Sequence, residues 1–66
     1  MNIMNDLICE LMYQQDKSIQ DVCDGTGLSY NTIRNIVKYY ISPTTEEAGL
    51  IFKYLGESLE EILKLY

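Results

Sequence analysis

Residues 18–36 read SIQDVCDGTGLSYNTIRNI and carry the strongest structural signals in the chain. Ser18 and Asp21 form a capping box in which Asp replaces the usual Glu, and this predicts a short helix over about 19–24. The DGTG sequence of residues 24–27 predicts a turn, because glycine adopts the positive φ that ends many helices. Ser29 is a favourable N-cap and predicts a further helix over about 30–38.

The apolar residues of this stretch recur at helical spacing and predict that the two helices pack together. They are Val22, Cys23, Leu28, Ile33 and Ile36. A small residue at 23 suits helices that cross closely. Residues 36–41 are β-prone when taken alone, which makes a strand the alternative there. The Ser29 cap and the continuing helical spacing favour a helix, whose outer side is left exposed.

The flanking segments predict three more helices. Met4, Leu7, Ile8, Leu11 and Met12 lie on one helical face and predict a helix over about 3–15. Downstream, the Thr44–Glu47 capping box precedes Ala48, Ile51, Phe52 and Leu55, and Gly56 is expected to end that helix. A second capping box at Ser58 and Glu61 predicts a fifth helix over about 59–66. The sequence thus predicts an all-α, compact five-helix bundle, one domain spanning residues 1–66.

Composition excludes several classes of function. The chain has 66 residues and no histidine, so no nucleophile–histidine pair exists and we expect no enzyme. The two cysteines, Cys9 and Cys23, lack metal-motif spacing and are interpreted as small buried residues, so neither metal nor cofactor is expected. Gly25 and Gly27 belong to a turn rather than a nucleotide loop, because no strand precedes them. Without a long apolar run or a signal peptide, the prediction is a cytoplasmic protein with no membrane partner.

Charge is unevenly distributed along the chain. The net charge of −5 opposes binding to nucleic acid at first sight. Residues 1–24 hold five acids and one lysine, which gives −4, and residues 46–66 hold five acids and two lysines, which gives −3. Residues 25–45 hold only Arg34 and Lys38, which gives +2. The middle of the chain is therefore its one acid-free stretch.

Taken together, these segments resemble the Cro/C1-type repressor family, the Xre-like helix-turn-helix domains. The resemblance covers about residues 4–63 and includes Ser29-x-x-Thr32-Ile33, Ser42-Pro43-Thr44 and the ending from Leu55 to Ile62. Two positions depart from the family pattern: Ile19 stands where glutamine is frequent, and Tyr39-Tyr40-Ile41 replaces a small, basic loop. The resemblance implies a lambda-repressor-like DNA-binding fold and a transcriptional regulator, most often a repressor, acting on a double-stranded DNA operator.

The resemblance also implies which residues contact DNA. The exposed start of the helix over 30–38 would enter the major groove, where asparagine pairs with adenine and a threonine methyl packs on thymine. The expected base contacts are Tyr30, Asn31, Thr32 and Asn35. The expected phosphate contacts, several of them at helix N-termini, are Ser18, Gln20, Ser29, Arg34, Lys38, Thr44 and Thr45. The alternative is that Asn31, Thr32 and Asn35 form an ordinary solvated helix face and that Arg34 and Lys38 are ordinary surface cations.

Self-association and a competing function complete the predictions. Apolar residues off the expected core faces predict a homodimer interface made by Leu50, Tyr54, Leu65 and Tyr66. The resemblance implies a two-fold dimer that reads half-sites about one helical turn apart. Six tyrosines and acidic flanks support a different class, a helix-turn-helix scaffold that binds another protein as an antirepressor or small inhibitor.

Overall fold

Four helices make up the described part of the protein. The computed structural model describes the backbone of residues 3–64 and the side chains of residues 3–56. The helices are α1 (Ile3–Gln14), α2 (Ile19–Thr26), α3 (Tyr30–Lys38) and α4 (Thr45–Lys64). Within residues 3–64 there is no strand, so the strand alternative for residues 36–41 is wrong.

The core lies where the four helices meet. Helix α1 packs against α3 and α4, and α2 packs against the same two helices. The buried apolar side chains are Ile8, Met12, Val22, Cys23, Ile33, Ile36, Ala48, Ile51 and Leu55. Leu28 packs against this cluster from the turn between α2 and α3, as the sequence predicts. Burial of one face of α3 leaves its opposite face at the surface.

Side-chain caps start three of the helices, as the sequence predicts. Ser18 Oγ accepts a hydrogen bond from the Asp21 amide at 3.1 Å, while Asp21 Oδ2 accepts one from the Ser18 amide at 2.9 Å. The same reciprocal pair joins Thr44 and Glu47, at 3.1 and 2.9 Å. Ser29 caps α3 without an acidic partner. These caps satisfy amide groups that have no acceptor within their own helix.

The prediction of separate fourth and fifth helices is wrong, because α4 runs through Gly56 without a break. The apolar positions 48, 51, 52, 55, 59, 62 and 63 keep one helical phase across residue 56. A single helix therefore keeps the whole stripe on one side, and Ser58 stands inside that helix rather than at its start.

The end of α2 also differs from the prediction. The helix continues past Asp24 to Thr26, so Gly25 is helical and only Gly27 is left-handed, with φ 79°. The Gly27 amide donates to Cys23 O at 2.9 Å and closes the helix. One left-handed glycine is enough for this end, and Gly25 instead lies against Tyr54 of α4.

The buried face of α1 is rotated from the predicted one. Asn5, Ile8 and Met12 are buried, whereas Met4 and Leu7 are 42% and 47% exposed. Residues 5, 8 and 12 share one face as closely as the apolar set does, so periodicity alone does not exclude this arrangement. Hydrogen bonding favours the observed face, because Asn5 donates to Ile36 O on α3 and to Ile41 O just after it.

Candidate nucleic-acid interface

The outer face of α3 is polar and starts at a well-formed cap. Ser29 Oγ accepts a hydrogen bond from the Thr32 amide at 3.2 Å. Ile33 and Ile36 point into the core, which turns Tyr30 and Asn31 to the surface. Asn35 lies one turn later and is half-buried. Tyr30, Asn31 and Asn35 therefore lie on or beside the exposed face, where the sequence analysis expects base contacts.

The hydroxyl groups of Ser29 and Thr32 hydrogen-bond to each other. The two oxygens lie 2.8 Å apart and share a hydrogen bond. Thr32 is half-buried, so its methyl group rather than its hydroxyl is the part suited to an outside contact. The cap consequently fixes the first turn of α3 and reduces the polar groups that this turn offers.

Two cations lie along α3. The Arg34 guanidinium lies over the ring of Tyr39, with Cζ 5.8 Å from the ring centroid. Its Nε is buried and has no hydrogen-bond partner among the described residues. Lys38 is exposed in the last turn. Arg34 is therefore held by an aromatic contact, a feature that the sequence analysis did not predict although Tyr39 lies five residues away.

The start of α3 differs electrostatically from those of the other helices. Within the described residues, α1 has Asp6 in its first turn, α2 has Asp21, and α4 has Glu46 and Glu47, whereas α3 has no acid there. A helix N-terminus carries a partial positive charge that a carboxylate neutralises. Hydrogen bonds from the Ser18 backbone and hydroxyl accordingly lower the pKa of Asp21. The uncompensated positive end is that of α3.

The other expected phosphate contacts lie beside carboxylates. The hydroxyls of Ser18 and Thr44 accept hydrogen bonds within their own caps. Gln20 Nε2 donates to Asp24 Oδ1 at 2.9 Å. Thr45 is the first residue of α4 and is exposed next to this acidic turn. These residues line up at helix starts as predicted, but each start already holds an anion of the protein itself.

The expected dimer residues fall into three situations. Leu50 is 40% exposed on α4. Tyr54 is half-buried and packs against the core, so its assignment to a surface off the core face is wrong. Leu65 and Tyr66 lie outside the described residues. Tyr54 turns inward because Gly25 leaves room for its ring.

The carboxyl end of α3 contains the residues that sequence reasoning missed. Tyr40 has φ 53°, which reverses the chain after α3. Asn5 and Cys9 of α1 reach this turn, and burial raises the pKa of the Cys9 thiol. A hydrogen bond to Asp6 raises the pKa of the Tyr40 hydroxyl. The available signal was Asn5 itself, a polar residue in line with Ile8 and Met12.

Three further observations concern other kinds of site. Among the described residues, no group of three or more acidic, cysteine or histidine side chains is arranged to hold a metal ion. None of the described helices combines the length and hydropathy that crossing a membrane requires. Cys9 and Cys23 are both free thiols.

The packed α2–α3 pair with its exposed second helix defines a helix-turn-helix domain. A family model described as helix-turn-helix matches residues 10–62. The chain therefore belongs to the Cro/C1-type helix-turn-helix family, whose members are DNA-binding regulators rather than enzymes. Searches of curated proteins and of solved structures gave no significant match.

Proposed function

We propose that this protein is a sequence-specific DNA-binding repressor that inserts α3 into the major groove of double-stranded DNA. The observation that carries the proposal is the exposed, acid-free start of α3 on an otherwise acidic molecule. A helix of this kind fits the major groove, and its first residues reach base edges. Family membership supports the same assignment.

Ser29 and the polar residues of α3 each have a role in this proposal. Asn31 is exposed and pairs with adenine through both polar atoms of its amide, and Asn35 does so from the next turn. Tyr30 contacts a base edge or the sugar beside it. Thr32 packs its methyl group on thymine. Arg34 and Lys38 neutralise phosphates, and Ser29 brings the amide end of α3 near the backbone.

A homodimer completes the proposed DNA-binding unit. Two copies double the few cations available and read two half-sites about one helical turn apart. Leu50 supplies exposed apolar surface on α4 for this contact. Leu65 and Tyr66 are proposed to extend it. Light scattering at high micromolar concentration tests this part, and a monomer would contradict it.

Selection of bound duplexes from a random pool tests the function directly. A palindromic consensus is the expected result, and its affinity should fall by about 0.9 log units per log unit of salt for each phosphate neutralised. Arg34→Glu should abolish binding and leave the circular dichroism spectrum unchanged. Lys53→Glu makes the same charge change at an exposed site on α4 and serves as the control. Equal losses in both variants would contradict a reading role for α3.

Exposed tyrosines favour a second candidate function, a scaffold that binds protein. Tyr39, Tyr40 and Ile41 are 64%, 52% and 54% exposed in one continuous loop. Tyrosine is enriched at protein interfaces, and this surface lies beside α3. If no duplex is enriched, this candidate replaces the first. Tyr39→Ala and Tyr40→Ala should then weaken binding to the partner protein, with little dependence on salt.

A further inference from the structure

Asn5 joins α1 to the far end of the proposed reading helix. Its side chain is fully buried, and Nδ2 donates to Ile36 O at 2.8 Å and to Ile41 O at 2.9 Å. Both amide hydrogens are therefore used. Because both partners are carbonyl oxygens, the amide cannot be turned over, since Oδ1 would then face two acceptors. The contact consequently has one geometry only.

The end of α3 needs donors from outside itself. The last carbonyls of a helix have no partner within the helix. The amides of Tyr39 and Ile41 both donate to Asn35 O, at 3.2 and 3.0 Å, which leaves the Ile36 carbonyl to Asn5. Cys9 Sγ, one turn further along α1, lies 3.8 Å from Val37 O. Helix α1 thus supplies donors to two successive carbonyls of α3.

Packing alone does not account for an asparagine at this position. Asn5 shares a buried face with Ile8 and Met12, where a leucine of similar size would fill the same space. Its Oδ1 is buried without a hydrogen-bond partner among the described residues, which is unfavourable. Asparagine adds directional hydrogen bonds, which connect α1 to the end of α3 and to the turn at Tyr40. The two hydrogen bonds of Nδ2 favour one arrangement of these helices, because only that arrangement places both carbonyl oxygens within reach of Asn5.

We propose that Asn5 is a positioning residue for DNA recognition. It sets the tilt of α3 against α1 and the path of residues 39–41, and so the direction in which Asn31, Arg34 and Asn35 project. This inference rests on the proposed function, and it makes α1 a determinant of specificity although α1 lies outside the helix-turn-helix itself. The predicted effect is on discrimination between operator and random DNA, more than on electrostatic attraction to any duplex.

Asn5→Leu tests the proposal, with Gln15→Met as the matched control. Gln15 also donates from its amide to a distant helix carbonyl, Leu55 O at 2.9 Å, but this bond leads to α4. Each variant is assayed at low temperature with a stabilising osmolyte, and affinities are corrected for the fraction folded. Asn5→Leu should reduce the ratio of operator to random-duplex affinity by about tenfold. Gln15→Met should lower stability and leave that ratio unchanged.

Amide hydrogen exchange gives a readout that is independent of DNA. In Asn5→Leu, the Tyr39 and Ile41 amides should exchange about tenfold faster relative to amides of α2 and α4. Uniform acceleration, or equal loss of discrimination in both variants, would overturn the proposal. A wild-type chain that selects no duplex would overturn the proposed function and the recognition role of Asn5. In that event the exchange rates still decide whether Asn5 holds α3 in place.

Discussion

Tyr54 of α4 lies directly on Gly25 of α2, so closely that a Cβ at position 25 would overlap the tyrosine ring. Lys17 Nζ lies 5.7 Å from the centroid of the same ring. Glycine inside a helix costs about 1 kcal/mol relative to alanine. The close approach of the Tyr54 ring explains why this cost is accepted, since a side chain at position 25 would displace the ring from its place on α2.

Gly25→Ala should therefore destabilise the protein, by about 1–3 kcal/mol, because the added methyl group overpacks the α2–α4 contact. Urea unfolding followed by circular dichroism measures the change. In a Tyr54→Ala background the same substitution should stabilise by about 0.5–1 kcal/mol, since only the better helix propensity of alanine remains. Additive effects in the double variant would show that the ring does not set the spacing.

Substitutions at Gly27 and Gly49 separate the effect of backbone conformation from the effect of the space available to a side chain. A Cβ would meet no atom within 4 Å at either position, but only Gly27 has a left-handed φ, 79°. Gly27→Ala should cost about 1–2 kcal/mol and Gly49→Ala should gain about 0.5–1 kcal/mol. Thermal unfolding of the two variants is the measurement. A stable Gly27→Ala variant would mean that α2 ends in another conformation.

Gly56→Ala distinguishes one long α4 from two shorter helices. With the continuous α4, alanine should stabilise by up to about 1 kcal/mol, because no atom of the described residues lies within 4 Å of a Cβ there. If a helix ended at a left-handed Gly56, as the sequence suggests, the same substitution would destabilise. Denaturant unfolding gives the sign of the change in the free energy of unfolding, and that sign distinguishes the two arrangements.

What the sequence predicts well is local chemistry. The caps at Ser18, Ser29 and Thr44 depend on residues three apart, and all three form as expected. Asn5 and Tyr54 are different, because their burial depends on partners about 30 residues away. The spacing of apolar residues along the sequence carries no information about such distant partners. The exposed face of α3 was predictable from the inward spacing of Ile33 and Ile36. The contact between Arg34 and the Tyr39 ring was not, because it depends on how the chain turns after α3.

The carboxylates at the starts of α2 and α4 should weaken DNA binding if phosphates approach those ends. Asp21→Asn and Glu47→Gln should each raise affinity about two- to fivefold, equivalent to about 0.3–1 kcal/mol. Glu10→Gln removes the same charge from the exposed side of α1 and is the control. Fluorescence anisotropy at low salt gives the affinities. No gain in either capping variant would place the duplex away from these helix starts.

Asp21 should also make stability depend on pH. Its pKa is lowered by hydrogen bonds from Ser18, so folding favours the charged form. The resulting stabilisation is present at neutral pH and is lost as the pH falls through the lowered pKa, below the usual aspartate range of about 4. Urea midpoints of the wild type and Asp21→Asn should converge in acid. A constant difference between neutral pH and about pH 3 would contradict the cap contribution.

The stacking of Arg34 on Tyr39 should contribute to DNA affinity by holding the guanidinium in place. Tyr39→Leu should weaken operator binding about two- to fivefold, in line with a cation–π contact of about 0.5–1 kcal/mol. Tyr39→Phe keeps the ring and should bind like the wild type. Tyr13→Leu, at a tyrosine that is 85% exposed on α1, controls for loss of an aromatic side chain. Equal losses for Leu and Phe at 39 would implicate the hydroxyl instead.

Residues 25–45 are the segment with a net positive charge, between segments of −4 and −3, and this has a consequence for how the protein finds its site on DNA. Under the proposed function, a molecule that approaches a duplex with one of its acidic surfaces is repelled before it binds. Fewer molecules are then bound non-specifically to DNA that lacks the operator. If the proposed function holds, a larger share of the molecules thereby stays free to reach the operator.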